Sequence, residues 1–235
     1  MQPVDLSKHN AVDFLEISDD TGSTLLRTRG NVQSTEAPDE AATPHFEGFV
    51  EIRDGETGEV ILDKKNAIHY ENMSKSIALT LSHAGYGHIH KLYFGNGAST
   101  VTGTGAISYF PPNTSGDDAT LYNPTYTDKI VDGNSNLNPD PVRNFIEFSH
   151  VANQTYTDLI IHCFLDYNEP SGEDAFDDAT DNEGMFVFDE IGLVSYPANG
   201  EGEGLLLTHC IFHPLQKSLN RSFDIKYTIR IYMSV

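Results

Sequence analysis

From Phe46 onward the chain alternates between apolar and polar residues, and the alternation falls into short runs separated by turn-forming residues. FEGFVEIRD (46–54) and EVILDKK (59–65), divided by GETG, read as two strands joined by a tight turn. One segment changes period. Between Asn72 and Ala84, the residues Met73, Ile77, Leu81 and Ala84 share a helical face, Asn72 or Ser74 can cap the start, and Gly85 ends it. The strand period then returns in HIHKLYFG (88–95), TGAISYF (104–110), TYTDKIVD (125–132), RNFIEFSHV (143–151) and TDLIIHCFLDY (157–167). It continues in MFVFDEIGLVSY (185–196), GLLLTHCIFHP (204–214) and RSFDIKYTIRIYMSV (221–235).

Runs of strands without regular helical crossovers argue against a parallel α/β fold. The pattern predicts an all-β protein: an antiparallel β-sandwich, jelly-roll-like, with one short amphipathic helix and an extended N-terminal arm. LIIHCFL and LLLTHCIF are apolar on both faces, which predicts burial on both sides by a second sheet or another subunit. In the last strand Phe223, Ile225, Tyr227, Ile229, Ile231 and Met233 take one face, while Asp224, Lys226, Thr228 and Arg230 take the other.

Residues 1–45 follow a different pattern. STEAPDEAATP (34–44) is acidic, weakly hydrophobic and carries two prolines, the composition of a linker or extended arm. VDFLEI (12–17) before it reads as a strand or turn able to dock on a neighbour. The predicted organisation is therefore an arm over 1–45 and a sandwich domain over 46–235.

Charge narrows the partners. The 235 residues include 35 acidic and 14 basic ones, a net charge of −21. A surface this negative repels phosphate backbones and anionic membranes, so nucleic acid and lipid are excluded as expected partners. No apolar stretch has the length of a membrane span, and MQPVDLSKHN lacks a signal-peptide core, which predicts a soluble chain not exported by a classical route. Cys163 and Cys210 sit in apolar runs without metal-ligand spacing and read as buried free thiols, with a bridge between them as the alternative.

The candidate chemistry centres on NAIHYENMSKSIALTLSHAGYGHIHKLYFGNGAST (66–100). His88 and His90 would share one face of a strand, a workable metal-ligand pair, with His69, His83 and Glu71 as further ligands. No HExxH-type motif sets their geometry. His162 and His209 could stack if their strands pair, and the adjacent cysteines lie in surroundings too apolar for a reactive thiolate. FGNGAST (94–100) has the glycines of a phosphate loop but no lysine and no following helix, and reads as a turn. EPSGEDAFDDATDNEG (169–184) is dense enough in carboxylates to hold calcium, although a solvated loop is the plainer account. A chain without tryptophan has no sugar cleft of the usual aromatic kind. These residues assign no catalytic, cofactor-binding or metal-binding role, and the expectation is a non-enzymatic protein.

TGEVILDKKNAIHYENMSKSIA, KLYFGNGAST, LYNPTY and THCIFHPLQKSLNRSFDIKYTIRI together resemble a group of tailed-bacteriophage virion structural proteins, over about residues 46–235. The resemblance implies a structural subunit of the tail, neck or baseplate. Such a subunit would be assembled in the host cytoplasm as a symmetric homo-oligomer, beside neighbouring virion proteins and without cofactors. It further implies that the arm lies on an adjacent subunit. Three other readings stand beside it: a capsid decoration protein, a metal-dependent enzyme using His69, His83, His88 and His90, and a calcium-stabilised adhesion module using the acidic loop.

Overall fold

The computed structural model describes residues 14–18, 24–28, 44–116, 118–170, 185–218 and 220–233. Residues up to Ala42 form one unit and Thr43–Ser234 another. In the first, β1 (Phe14–Ser18) and β2 (Thr24–Thr28) pair as an antiparallel hairpin, Phe14 opposite Thr28. The predicted docking of this segment on a neighbour lies outside what the described residues address.

The described residues of the second unit are all-β with one helix, α1 (Tyr70–Leu81). Its long strands are β3 (Pro44–Asp54), β4 (Val60–Ile68), β5 (Ile89–Gly95), β8 (Pro124–Ile130) and β9 (Phe145–His150), then β10 (Tyr156–Leu165), β11 (Met185–Ser195), β12 (Thr208–Ser218) and β13 (Phe223–Met233). These nine form one antiparallel sheet, ordered β8-β5-β11-β12-β4-β3-β13-β10-β9. The short strands β6 (Ser99–Val101) and β7 (Ile107–Tyr109) make a separate hairpin, where the sequence predicts a turn followed by one strand.

The sandwich is made by this sheet curling over itself. Its five-stranded half (β4-β3-β13-β10-β9) and four-stranded half (β8-β5-β11-β12) meet through only two residue pairs, Ile68–Thr208 and Ala67–His209. Val50, Ile161, Ile225 and Tyr227 of the first half share one core with Leu92, Phe94, Ile191 and Phe212 of the second. Cys163 and Cys210 are both buried in that core as free thiols. The alternative bridge is not formed.

Registers explain why the alternation was readable. Phe148, Leu159, Ile229 and Gly48 lie opposite one another across β9, β10, β13 and β3, so they occupy the same face. That face is the core side. The opposite face carries charge: Arg230 grips Asp158 with two bonds of 2.6 and 2.7 Å, and Lys65 meets Glu47 at 3.0 Å. Predicted and observed faces of β13 coincide down to Ile229.

Three departures have identifiable causes. The helix starts two residues early because His69 caps it, its Nδ1 accepting from the Asn72 amide at 3.2 Å. Asn72 is thereby free to enter the first turn and donate to the Leu206 carbonyl. Met73 and Ile77 pack on the core as expected, but Leu81 is 82% exposed, and Ala84 lies beyond the helix end. β12 begins four residues late and runs through Pro214. That proline is tolerated because β11 shifts register between Phe188 and Glu190, leaving Pro214 at the irregularity. His162 and His209 do not stack, since their strands β10 and β12 are not neighbours.

Where the halves meet, the buried Tyr227 hydroxyl donates to Thr208 Oγ1 at 2.6 Å and accepts from the Asn66 side-chain amide. Gly48 leaves the room for Asn66, because a Cβ there would stand 2.2 Å from its Oδ1. Replacing Tyr227 by Phe leaves two buried polar groups without their partner. The expected loss is about 1–3 kcal/mol of unfolding free energy by urea titration. Gly48→Ala should also destabilise the fold, by displacing Asn66 from the junction.

Candidate functional site

The four histidines of the 66–100 segment do not meet at one site. His69 is buried as the helix cap, and its Nε2 donates to the Gly116 carbonyl at 3.0 Å. With one ring nitrogen accepting and the other donating, its tautomer is set. His83 follows the helix at φ 56°, on the exposed side of the turn. His88 and His90, two apart at the start of β5, do point the same way, as their spacing predicts. Both reach one oxygen of Asp132, His90 Nδ1 at 2.7 Å and His88 Nε2 at 3.1 Å.

Asp132 is buried just past β8, and its other oxygen accepts the Asn134 amide at 2.7 Å. Burial opposes its charge, but the bonds from His90 and Asn134 and the neighbouring imidazoles hold its pKa below the usual aspartate value. Tyr196 stacks on His88 with centroids 5.2 Å apart and meets His90 edge-on at 4.8 Å. The cluster fastens the loop after β8 to β5. Glu71 is exposed on the helix, and His69 is committed to its cap, so the predicted ligand set does not converge. Among the described residues no group of three or more His, Cys, Asp or Glu is placed to hold a metal ion.

The glycine loop does bind an anion, and the anion belongs to the protein. Glu190, fully buried, accepts the amides of Gly97 (3.1 Å), Tyr122 (2.9 Å) and Asn123 (2.8 Å). It also accepts from His209 Nε2 at 2.9 Å, while His209 Nδ1 takes the Asn113 amide at 2.8 Å. The preceding Asp189 accepts the Ala98 amide at 3.0 Å and the Ser99 hydroxyl at 2.5 Å. Consecutive residues of a regular strand face opposite ways. The register shift here lets both carboxylates reach the same loop. Loops 96–99 and 113–123, and with them the β6–β7 hairpin, are anchored on these two acids.

The two acids shift in opposite directions. Burial works against charge on both, but His209 and three amides outweigh it at Glu190, whose pKa falls. At Asp189 burial wins, helped by the charge of Glu190, and the pKa rises. Sequence reasoning passed over this pair because their partners are mainly backbone amides, which leave no side-chain signature. The available signal was an Asp-Glu pair inside an apolar run.

The remaining candidates fall elsewhere. His162 bonds Glu147 on the charged face at 3.1 Å, and His213 bonds the Tyr109 hydroxyl at 2.9 Å. Burial pushes the Cys163 thiol up to about 12 and that of Cys210 up to about 11, the opposite of an activated nucleophile. Of the acidic loop, Glu169 is engaged by Lys129, which donates to both its oxygens at 2.8 Å, and by the Tyr126 hydroxyl at 2.7 Å. The calcium expectation otherwise falls on 171–184, outside the described residues.

Among the described residues, one groove stands out by its size. A groove of about 690 Å³ runs between α1 and the core face of the five-stranded half. Met73, Ile77, Ile146, Leu159, Ile229 and Ile231 line it, with His83, His88 and Asp132 among its polar residues. It exists because the helix covers only part of an apolar sheet face. None of the described helices is long and apolar enough to cross a membrane. No family model matches the chain, and comparison with curated proteins and with solved structures likewise finds no match.

The opposed shifts lead to a paired test. Glu190 stays charged below its ordinary value of 4.5, so its contribution is whole above that pH and is lost as pH falls through the lowered folded pKa. Glu190→Gln should cost about 3 kcal/mol at pH 7, because it sets an NH2 group against buried donors. The deficit should shrink as the wild type is acidified below 4.5. Burial and the charge of Glu190 raise the Asp189 pKa, so its ionised form gains less from the fold, and Asp189→Asn should cost less than Glu190→Gln at pH 7. Denaturant titrations at pH 7 and pH 3.5 compare the two.

Proposed function

We propose that the chain is a non-enzymatic structural subunit of a tailed-phage virion, of the tail, neck or baseplate, which works by assembling with copies of itself and with neighbouring virion proteins. The observation that carries this reading is the uncovered apolar face. A protein of net charge −21 is strongly self-repelling, yet it leaves an apolar groove of about 690 Å³ open beside α1. Apolar surface gathered in one place marks an interaction site, and in an assembly subunit it is the part another chain covers. The charge also disfavours phosphate-bearing partners.

The side chains that first resemble catalytic material support the same reading. His88 and His90 are bonded to Asp132, His209 to Glu190 and the Asn113 amide, and His69 to the helix start. Each fastens a loop or a helix end, the kind of rigidity that a load-carrying subunit needs. The virion assignment itself rests on the resemblance of residues 46–235 to phage structural proteins.

Two measurements test it. Light scattering of the purified full-length chain should give a discrete homo-oligomer. Mass spectrometry of gradient-purified particles from the host carrying this gene should find the chain at a fixed ratio to the major virion proteins. Absence from purified particles would overturn the assignment, as would a chain that stays monomeric with its particle neighbours present.

A further inference from the structure

We propose that β9 is the seam where two copies of this chain join, edge to edge and antiparallel about a two-fold axis, with Phe148 of each copy against the other. The inference rests on the reading of the chain as a multi-copy subunit and names the strand that does the joining.

It starts from a difference between the two ends of the nine-stranded sheet. β8 opens on Pro124, exposes the charged Asp128, and shifts register twice against β5. Proline, charge and bulges are the devices that keep an edge strand from recruiting another chain. β9, FIEFSH, has no proline and no bulge, its one carboxylate, Glu147, is paired with His162 of the neighbouring strand, and it runs in unbroken register with β10 from Phe145 to His150. Among the described residues it pairs with β10 alone, and none of them takes up its outer row of backbone donors and acceptors.

Apolar surface collects at that same edge. Phe148 is 77% exposed, and the flanking Val142 and Val151 are 81% and 56% exposed. Phe148 lies opposite Leu159, which lies opposite Ile229, so it is the outermost member of the row that floors the groove. A strand added at β9 would extend the apolar face beyond Phe148 and cover the ring.

Self-complementarity of the strand points to a second copy, and charge selects the register. A two-fold axis perpendicular to the sheet keeps every side chain on its own face and sets one residue of β9 opposite itself. Centred on Glu147, the pairing would set two carboxylates face to face, which is destabilising. Centred on Ser149, it would set Phe148 against His150 and Glu147 against Val151. Centred on Phe148, it stacks ring on ring, sets Phe145 against Val151 and Glu147 against Ser149, and opposes no like charges. The strand is self-complementary in that register.

The test is a cysteine at the axis. Residues directly opposed in antiparallel strands bring their Cβ atoms to about 4.5–5.5 Å. That is close to the separation of about 3.5–4.5 Å that a disulfide requires. The native Cys163 and Cys210 are buried and do not compete. Full-length Phe148→Cys should run mainly as a covalent dimer on a non-reducing gel after mild oxidation. Val101→Cys, a comparably exposed site (73%) on β6, should remain monomeric. Phe148→Asp should weaken self-association at least about tenfold with the melting temperature unchanged. Cross-linking of Phe148→Cys no greater than that of Val101→Cys would overturn the seam, and a stronger cross-link from Glu147→Cys would overturn the register. A chain that oligomerises without the Phe148 cross-link keeps the subunit reading and loses this one. A chain that cross-links at Phe148 but is absent from particles does the reverse.

Discussion

The unit over 43–234 is built on a sheet that turns back on itself through a junction two residue pairs wide. β4 and β12 meet only at Ala67–Ile68 and Thr208–His209, and from there the two halves of the sheet close over a shared core. So brief a ladder contributes few hydrogen bonds of its own. The turn is held instead by groups that span it: Tyr227 between Asn66 and Thr208, and Lys64 donating to the Ile211 carbonyl at 2.6 Å. Because the sheet curls without closing into a barrel, both its edges survive. The curl thus creates the core, the groove beside α1 and the open strand β9 together.

The second constraint is electrostatic. A chain with a surplus of carboxylates has buried several, and each has been given enough donors to remain bound. Glu190 and Asp189 hold loops that carry no regular secondary structure, and Asp132 gathers two histidines and the start of the following loop. Buried backbone amides in such loops need acceptors, and a carboxylate supplies several at one point. The acid-rich composition thus contributes to the fold as well as to the surface.

How much of this was legible in the sequence follows from what each element uses to form. β13 presents one apolar face to the core, so alternation located it and its facing, whereas LIIHCFL in β10 reads as apolar on both faces but is fully buried only at Ile161, Cys163 and Leu165. The helix was visible in Met73 and Ile77, but its start was misplaced because histidine is not among the usual capping residues. β12 was displaced because Pro214 looks like an end and is instead accommodated at a register shift. β6 was missed because three residues after a glycine turn carry too little pattern. Among the site residues, only the His88–His90 pair had spacing that fixes geometry, and both do converge, on Asp132. His69 is committed to the cap at the start of α1, and His83 lies past its other end, so the helix separates these two from each other. The Glu190 anchor was illegible because it is written in backbone amides.

On the proposed subunit reading, the apolar face beside α1 is a surface to be covered by protein. A reconstruction of the assembled particle, at a resolution that traces strands, tests this most directly. The account predicts this chain in repeated, symmetry-related copies, with the groove beside α1 and strand β9 buried against protein. Copies whose groove and β9 edge both face solvent would contradict it.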